Sequence, residues 1–152
     1  MIYQQFGSAS PRGVKPTSFR ILDVPASRRN LYESRRLIDR DGVGARNYHV
    51  IHFIFHPGAK MGKHYHQFEQ AYFTIEGEGV TTANGVDQPM VPGNVTWLPP
   101  GCVHETFNPK ANDEQLRYVN FSSPPASSFP EGDHSLEDVG NEVARVTGVR
   151  EQ

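Results

Sequence analysis

Two short histidine-bearing segments are the part of this sequence best suited to chemistry. His64 and His66 are separated by one residue, and His104 follows the turn sequence Pro99-Pro100-Gly101. In a β-strand, alternate residues project to the same side, so this spacing predicts that the imidazoles of His64 and His66 face one way. Imidazole nitrogen is a common ligand for zinc, iron, nickel and copper. The three histidines therefore suggest a metal site, provided that the fold brings the two segments together.

The spacing around these histidines resembles the two sequence motifs of the cupin family. The first motif is carried by Gly58, His64, His66, Gln70 and Gly77. The second motif is carried, at every marked position, by Gly93, Pro99, Gly101, His104 and Asn108. Two motifs in the right order and at the right spacing form a specific signal. The resemblance covers roughly residues 48–121, about half of the chain.

The resemblance implies a double-stranded β-helix, a jelly-roll-like barrel that holds a metal ion through two histidines, an acidic residue and a third histidine. Carried over to this sequence, the ligands are His64, His66, Gln70 and His104. The implied cofactor is one divalent transition metal: Fe, Mn, Ni, Zn or Cu. The chain departs from the common motif at Gln70, where the motif has Glu. Glu69 is an alternative fourth ligand, but alternation puts it on the face opposite to Gln70 unless a register slip or bulge intervenes.

A glutamine in the ligand set changes the electrostatics of the implied site. Three neutral imidazoles and one amide leave the charge of the ion uncompensated, whereas a glutamate would cancel one unit. The ion is therefore expected to favour an anionic substrate, to lower the pKa of a bound water further and to resist oxidation. These effects favour Lewis-acid chemistry over redox cycling.

Alternation along the predicted strands selects further side chains that could line the same pocket. The candidates for a catalytic role are Tyr72, His52 and Tyr118. The candidates for hydrogen bonds to a substrate are Thr74, Thr106 and Asn120. Tyr72 and His52 also have a simpler interpretation as packed or surface residues. His49 is assigned to the face of its strand opposite to His52, and Trp97 is interpreted as a core residue.

The elements that must position these residues are predicted to be short strands separated by turns rich in Gly, Pro and Asn. The predicted strands cover residues 17–24, 48–56, 69–76, 79–83, 95–98, 103–107 and 116–121. Residues 27–38 are predicted to form a short helix or an irregular segment, and Asn84-Gly85 is a tight-turn signal. This pattern is typical of an all-β antiparallel sandwich or barrel.

Length and composition indicate one compact unit. A chain of 152 residues suits a single domain, and 36% hydrophobic with 21% charged residues favours one modest core over a disordered chain. We predict a single domain over residues 1–152, with a barrel core at 48–121. Residues 1–16 form an N-terminal arm, and residues 122–152 form a tail with a short helix near 136–146.

Composition also bears on partners and location. A net charge of −2 without a basic recognition element argues against a nucleic-acid partner. The sequence has no stretch apolar enough to cross a bilayer and no signal-peptide pattern, and its single cysteine, Cys102, fits a reducing compartment. We therefore expect a cytoplasmic protein with no membrane contact. The expected partners are a small-molecule substrate and a second copy of the chain, joined as a homodimer through the arm and the strand at residues 17–24.

These features together predict a metal-dependent enzyme that acts on a small polar substrate bearing a carboxylate or carbonyl group. The reaction is that of a dioxygenase, or of an isomerase or lyase on a sugar-derived or keto acid. Both remain open because one fold hosts many chemistries. The alternative is a non-catalytic cupin that binds or senses a small molecule.

Overall fold

The structure, a computed structural model, describes residues 17–125. The predicted arm at residues 1–16 lies outside the described residues, as does the tail from residue 126 on, including the helix predicted near 136–146. The homodimer contact and the single-domain organisation therefore stay predictions. Within residues 17–125, no helix has the length and apolar character needed to span a bilayer.

Ten β-strands make up most of the described chain. They are β1 (Ser27–Arg29), β2 (Tyr32–Ile38), β3 (His49–Phe55), β4 (Lys60–His64), β5 (Glu69–Glu76), β6 (Gly79–Ala83), β7 (Val86–Met90), β8 (Val95–Leu98), β9 (His104–Phe107) and β10 (Leu116–Ser123). Helical structure between residues 17 and 125 consists of the one-turn helix α1 (Arg40–Val43) and a 3-10 turn at Ile21–Asp23. The all-β class predicted from the sequence is confirmed.

The strands form two antiparallel sheets that enclose the core. The larger sheet has the order β1-β2-β3-β10-β5-β8, and the smaller sheet has the order β4-β9-β6-β7. The buried core combines residues of both sheets, such as Phe53 and Tyr118 from the larger and Met90 from the smaller. The jelly-roll barrel implied by the motifs is therefore confirmed.

The larger sheet has two faces that differ in chemistry. We call the face that lines the barrel interior the inner face; one of its cross-strand rows is His49–Ser122–Gln70–Leu98, and the next is Ile51–Asn120–Tyr72–Thr96. Further along, the inner-face rows become aromatic and aliphatic, with Phe53 beside Tyr118 and Phe55 beside Leu116. The outer face carries the alternate residues, with the rows Val50–Phe121–Ala71–Trp97 and His52–Val119–Phe73–Val95. The interior therefore has a polar end and an apolar end.

The strand predictions succeed in the motif-bearing half of the chain. The predictions at residues 69–76, 79–83 and 95–98 coincide with β5, β6 and β8, and those at 48–56, 103–107 and 116–121 each correspond to one observed strand. In this half of the chain, two observed strands, β4 and β7, were not predicted. β7 contains Pro89, which removes a backbone donor, and β7 tolerates it as the edge strand of the smaller sheet.

The predictions for the N-terminal part are wrong. Residues 17–24 contain the 3-10 turn and no strand, and residues 27–38 form the hairpin β1–β2 rather than a helix or irregular segment. The hairpin turns at Asn30, which has a positive φ of 47°. β2 then pairs with β3 along its length, from Tyr32 opposite Phe55 to Ile38 opposite Val50. This long-range pairing determines the structure of β2, and local propensity did not show it.

Several motif residues shape the backbone rather than the chemistry. Gly77 has a φ of +71°, and a Cβ at this position would collide with the carbonyl oxygen of Gln115. Asn108 is buried, and its Nδ2 donates to the carbonyl oxygens of Phe55 (2.9 Å) and Glu114 (2.8 Å). These contacts fix turns at the end of the barrel that lies away from the histidines.

Candidate metal centre

Three buried histidines converge at the polar end of the interior. The nitrogen atoms that His64, His66 and His104 can offer to a metal all lie within 4.8 Å of one another. We call these three residues the histidine cluster. The two motif segments therefore meet, as the metal site suggested by the sequence requires, and metal binding by the three histidines stays a prediction.

The two motif segments meet through strand pairing. His64 ends β4 and lies opposite His104, which begins β9. His66 lies beyond the end of β4, so strand alternation is not what aligns it with His64. Instead, the carbonyl oxygen of His66 accepts a hydrogen bond of 2.7 Å from the backbone N–H of Gly101, in the turn before β9. This bond ties the His66 loop to the segment that carries the third histidine.

Backbone carbonyls select the tautomers of two cluster members. His64 Nδ1 donates to the carbonyl oxygen of Gly62 at 2.7 Å, and His104 Nδ1 donates to that of Cys102 at 2.9 Å. Because each Nδ1 carries its proton, each Nε2 presents a lone pair. A carbonyl behind the ring is the usual partner of a metal-binding histidine, since it fixes both the ring orientation and the tautomer.

The protonation state of His104 also suits ligation. Burial, with a smaller contribution from neighbouring His64, lowers the pKa of His104 to about 3. The imidazole is therefore neutral at pH 7, as a metal ligand must be. Cys102, whose carbonyl holds the ring, is itself buried, and burial raises the pKa of its thiol. A thiol with a raised pKa is a poor nucleophile, so Cys102 serves packing and the orientation of His104.

Gln70 lies beside the histidine cluster and Glu69 does not. Gln70 is 4% exposed on the inner face of β5, whereas Glu69 is exposed on the opposite face. The hydroxyl of Tyr72 lies 3.3 Å from Gln70 Oε1 and 3.2 Å from His104 Nε2. The amide oxygen of Gln70 and the Nε2 lone pair of His104 thus both lie within hydrogen-bond distance of the Tyr72 hydroxyl. Of the two fourth-ligand candidates, the structure places only Gln70 at the site.

The donor set fits a divalent transition metal. It offers three buried imidazoles, and backbone carbonyls orient the lone pairs of two of them, His64 and His104. The amide oxygen of Gln70 lies 3.3 Å from the Tyr72 hydroxyl, which is itself 3.2 Å from His104 Nε2. Imidazole nitrogen with a neutral oxygen suits Zn, Fe, Ni, Mn and Cu, and the set does not select among them.

The structure brings five of the other six predicted pocket residues to the interior. Tyr72, Tyr118, Thr74, Thr106 and Asn120 are all buried there. Tyr72 contacts the ligand candidates directly, and Asn120 is its cross-strand neighbour on β10. Tyr118 lies deeper, stacked on Phe53 with ring centroids 5.0 Å apart, and burial raises the pKa of its hydroxyl well above the usual value. It belongs to the aromatic end of the core rather than to the histidine cluster.

The structure does not bring His52 to the site. His52 lies on the outer face of β3, directly opposite Arg35 of β2. Burial, followed by the nearby charges of Arg117 and Arg35, lowers its pKa to about 4. The catalytic role predicted for His52 required its strand to have the opposite orientation.

Two residues near the site were missed by the sequence analysis. His49 was assigned to the wrong face; it lies on the inner face, with its ring edge-on to Phe68 at 5.5 Å, and Phe68 stacks on His66 at 4.4 Å. Ser122 was placed beyond the last strand, but β10 runs to Ser123 and brings Ser122 opposite Gln70. Side-chain alternation continued two residues past Asn120 would have found Ser122.

Comparison with known proteins supports the fold. The family model of the cupin domain matches residues 51–121. No curated protein shows significant sequence similarity to the chain. Among solved structures, the polyketide cyclase RemF from Streptomyces resistomycificus is 21% identical, with a TM-score of 0.64 over 72% of this chain and 80% of that one.

Two structures from Thermotoga maritima are also similar to the chain. A protein described as a predicted oxalate decarboxylase is 21% identical, with a TM-score of 0.63 over 70% of this chain and 98% of that one. A cupin-like protein is 24% identical, with a TM-score of 0.62 over 78% of this chain and 86% of that one. At these identities the likenesses show the fold alone. Residues 51–121 match the cupin-domain model, and this part of the chain is a cupin domain.

Proposed function

We propose that the protein is a metal-dependent enzyme that acts on a small polar substrate bearing a carboxylate or carbonyl group. The observation that carries this proposal is the convergence of three buried imidazoles and the amide of Gln70 at the polar end of the interior. An ion held by His64, His66, His104 and Gln70 would act as a Lewis acid on a substrate oxygen.

The charge balance of the interior supports an anionic substrate. None of the fully buried side chains between residues 17 and 125 is Asp, Glu, Lys or Arg. The donor set brings no negative charge, so the charge of a divalent ion would stay uncompensated within the described interior. A carboxylate that enters the site would balance part of this charge.

Tyr72 is the side chain best placed to act on the substrate. Its hydroxyl has one proton and lies within hydrogen-bond distance of Gln70 Oε1 and His104 Nε2, both of which are acceptors. If an ion engaged those two lone pairs, the hydroxyl would keep its proton for another acceptor. Tyr72 would then donate a hydrogen bond, or a proton, to the substrate oxygen.

The remaining polar residues of the inner face would orient the substrate. Asn120 and Thr74 flank Tyr72 along and across the strands, and Thr106 lies opposite Thr81 with the two hydroxyls 2.9 Å apart. The aromatic residues beyond Tyr72, chiefly Tyr118 and Phe53, exclude water from that side of the pocket. This gradient favours a small substrate with one polar end and one less polar end.

Similar structures include enzymes of different reaction types. RemF is a polyketide cyclase, and the first Thermotoga maritima protein is described as a predicted oxalate decarboxylase. A structure described as a sugar phosphate isomerase from Silicibacter pomeroyi is also among the similar folds. We therefore keep both an isomerase or lyase reaction and a dioxygenase reaction, and the uncharged donor set favours the former.

The proposal is tested by substrate turnover in matched variants. The full-length protein, loaded with Zn, Ni, Mn or Fe, is assayed with keto acids and sugar-derived acids for product formation, and with catechols and diketones for oxygen consumption. We expect turnover with at least one carboxylate or carbonyl compound. Tyr72→Phe should lower kcat about 100-fold while metal content stays unchanged. Tyr48→Phe, on a half-exposed ring of the outer surface, is the control and should change neither kcat nor the metal content.

One outcome would contradict an enzymatic role, and another would contradict the role of Tyr72. Saturable binding of a carboxylate without turnover in any metal form would instead support the non-catalytic binding alternative. Equal turnover by the wild type and Tyr72→Phe would remove Tyr72 from the mechanism.

A further inference from the structure

A chain of buried hydrogen bonds runs from the Gln70 amide to two side chains of β10. Gln70 Nε2 donates to Ser122 Oγ at 3.3 Å, and Ser122 Oγ donates to Asn120 Oδ1 at 3.1 Å. Gln70 and Ser122 are direct cross-strand partners on β5 and β10. Ser122 is 1% exposed and Asn120 is 4% exposed, so water does not compete for these bonds.

The direction of this chain follows from counting protons. A serine hydroxyl has a single proton, and that of Ser122 is used on Asn120 Oδ1. Toward Gln70, the hydroxyl therefore presents only a lone pair, which the NH2 group of the amide can satisfy and the amide oxygen cannot. Gln70 Oε1 must then point the other way, where it accepts from Tyr72.

We propose that Ser122, supported by Asn120, is a positioning residue that fixes the Gln70 amide with its oxygen toward the metal. An amide that is free to flip can present NH2 to the ion, and NH2 cannot coordinate. The inference rests on the proposed metal site and adds a reason for the glutamine. The side chains of Gln70, Ser122 and Asn120 satisfy one another's hydrogen bonds.

The same chain explains why a carboxylate fits less well at this position. The carboxylate of a Gln70→Glu variant has no proton to donate, so Ser122 would have to turn its own proton from Asn120 toward residue 70. Asn120 Oδ1 would then lose its buried donor, which carries an energetic cost. Conversely, the two oxygens of a carboxylate are equivalent, so a variant with Glu at this position needs no group to set its orientation.

The first experiment is a double-mutant cycle read out as zinc affinity. Zinc dissociation constants are measured by calorimetry with a competing chelator for the full-length wild type, Ser122→Ala, Gln70→Glu and the double variant. We expect Ser122→Ala to weaken zinc binding about 10-fold or more in the wild-type background, as is typical for loss of an outer-shell partner. In the Gln70→Glu background, Ser122→Ala should change the zinc dissociation constant by less than about threefold. Ser123→Ala, on the neighbouring exposed residue, is the control and should leave the zinc dissociation constant unchanged.

The second experiment reads the amide orientation directly in the wild type, so it does not depend on how the variants fold. In metal-free and zinc-loaded protein, NMR should show nuclear Overhauser contacts between the side-chain NH2 protons of Gln70 and the β-protons of Ser122. Contacts from this NH2 to the ring of Tyr72 or His104 instead would overturn the proposal.

The outcomes separate the two claims. Tight zinc binding by the wild type with an equal loss in both backgrounds, or with no loss in Ser122→Ala, would overturn the positioning role and leave the metal site in place. Failure of the wild type to bind Zn, Ni, Mn or Fe would refute the proposed function, and the NMR contacts in the metal-free protein would then still decide whether Ser122 orients the amide.

Discussion

The inner and outer faces of the larger sheet are made from the same strands, yet they meet different surroundings. On β3, His49 lies on the inner face in the row of Gln70, whereas His52 lies on the outer face opposite Arg35. On β8, Leu98 is 1% exposed and Trp97 is 61% exposed. A change of one position along a strand therefore decides whether a side chain can take part in the site.

Two buried histidines show why burial alone does not identify a functional group. Burial is the main cause of the lowered pKa in both, to about 4 for His52 and about 3 for His104. His104 has a carbonyl partner on Nδ1 that directs Nε2 toward the cluster, while neither ring nitrogen of His52 has a hydrogen-bond partner in the described structure. What distinguishes the site is the partner behind the ring, not the shifted pKa.

The largest expected effect is on the free energy of unfolding, and it should differ between the inner and outer faces of β8. Leu98→Ala should lower the free energy of unfolding by about 2–5 kcal/mol, because it empties a buried core position. Trp97→Ala removes a mostly exposed ring, which the sequence analysis wrongly placed in the core, and should change stability by less than about 0.5 kcal/mol. Urea denaturation of both variants makes the comparison. A loss above about 2 kcal/mol for Trp97→Ala would show that the outer face is covered in solution.

The next effect concerns pH and His52. Because its pKa is lowered from 6.5 to about 4 in the folded protein, the unfolded chain takes up a proton on this group in that interval and the folded protein does not. Stability from this group is therefore full above pH 6.5 and is lost as the pH falls toward 4, by up to about 3 kcal/mol. His52→Gln should show a correspondingly smaller loss of unfolding free energy between pH 7 and 4.5.

The control for this prediction is Trp97→Phe, on a mostly exposed ring of the same outer face that has no titratable group. Its unfolding free energy should follow that of the wild type across the same pH range. Parallel curves for the wild type and His52→Gln would mean that His52 is not held neutral by its surroundings.

A smaller effect is the stabilisation of the folded protein by zinc, which should depend on His104 and not on His52. Zinc at 100 times its dissociation constant should raise the unfolding free energy of the wild type by about 2.7 kcal/mol. His52→Gln should retain this stabilisation, since His52 lies on the outer face. His104→Ala should lose it at the same zinc concentration. Thermal denaturation with and without zinc measures all three, and loss of the effect in His52→Gln would place that residue in the site after all.

The sequence predicted the inner site better than the elements around it. Strands near the motifs have clear alternation; in β5, for example, exposed Glu69 precedes buried Gln70. β3 is buried on both faces, so its pattern shows no period of two, and alternation could not tell which of His49 and His52 points inward. β2 is built by pairing with β3, which no local signal reveals. The tautomers and the Ser122 chain depend on backbone carbonyls and on strand length, and neither can be read from residue types.

The most direct test of the metal centre is an anomalous difference map from crystals of the full-length protein grown with a transition metal. The structure predicts one strong peak per chain, about 2.0–2.2 Å from Nε2 of His64 and His104, a ring nitrogen of His66 and Oε1 of Gln70. An absent peak, or a peak that is bound elsewhere while these four side chains surround only water, would contradict the proposed centre.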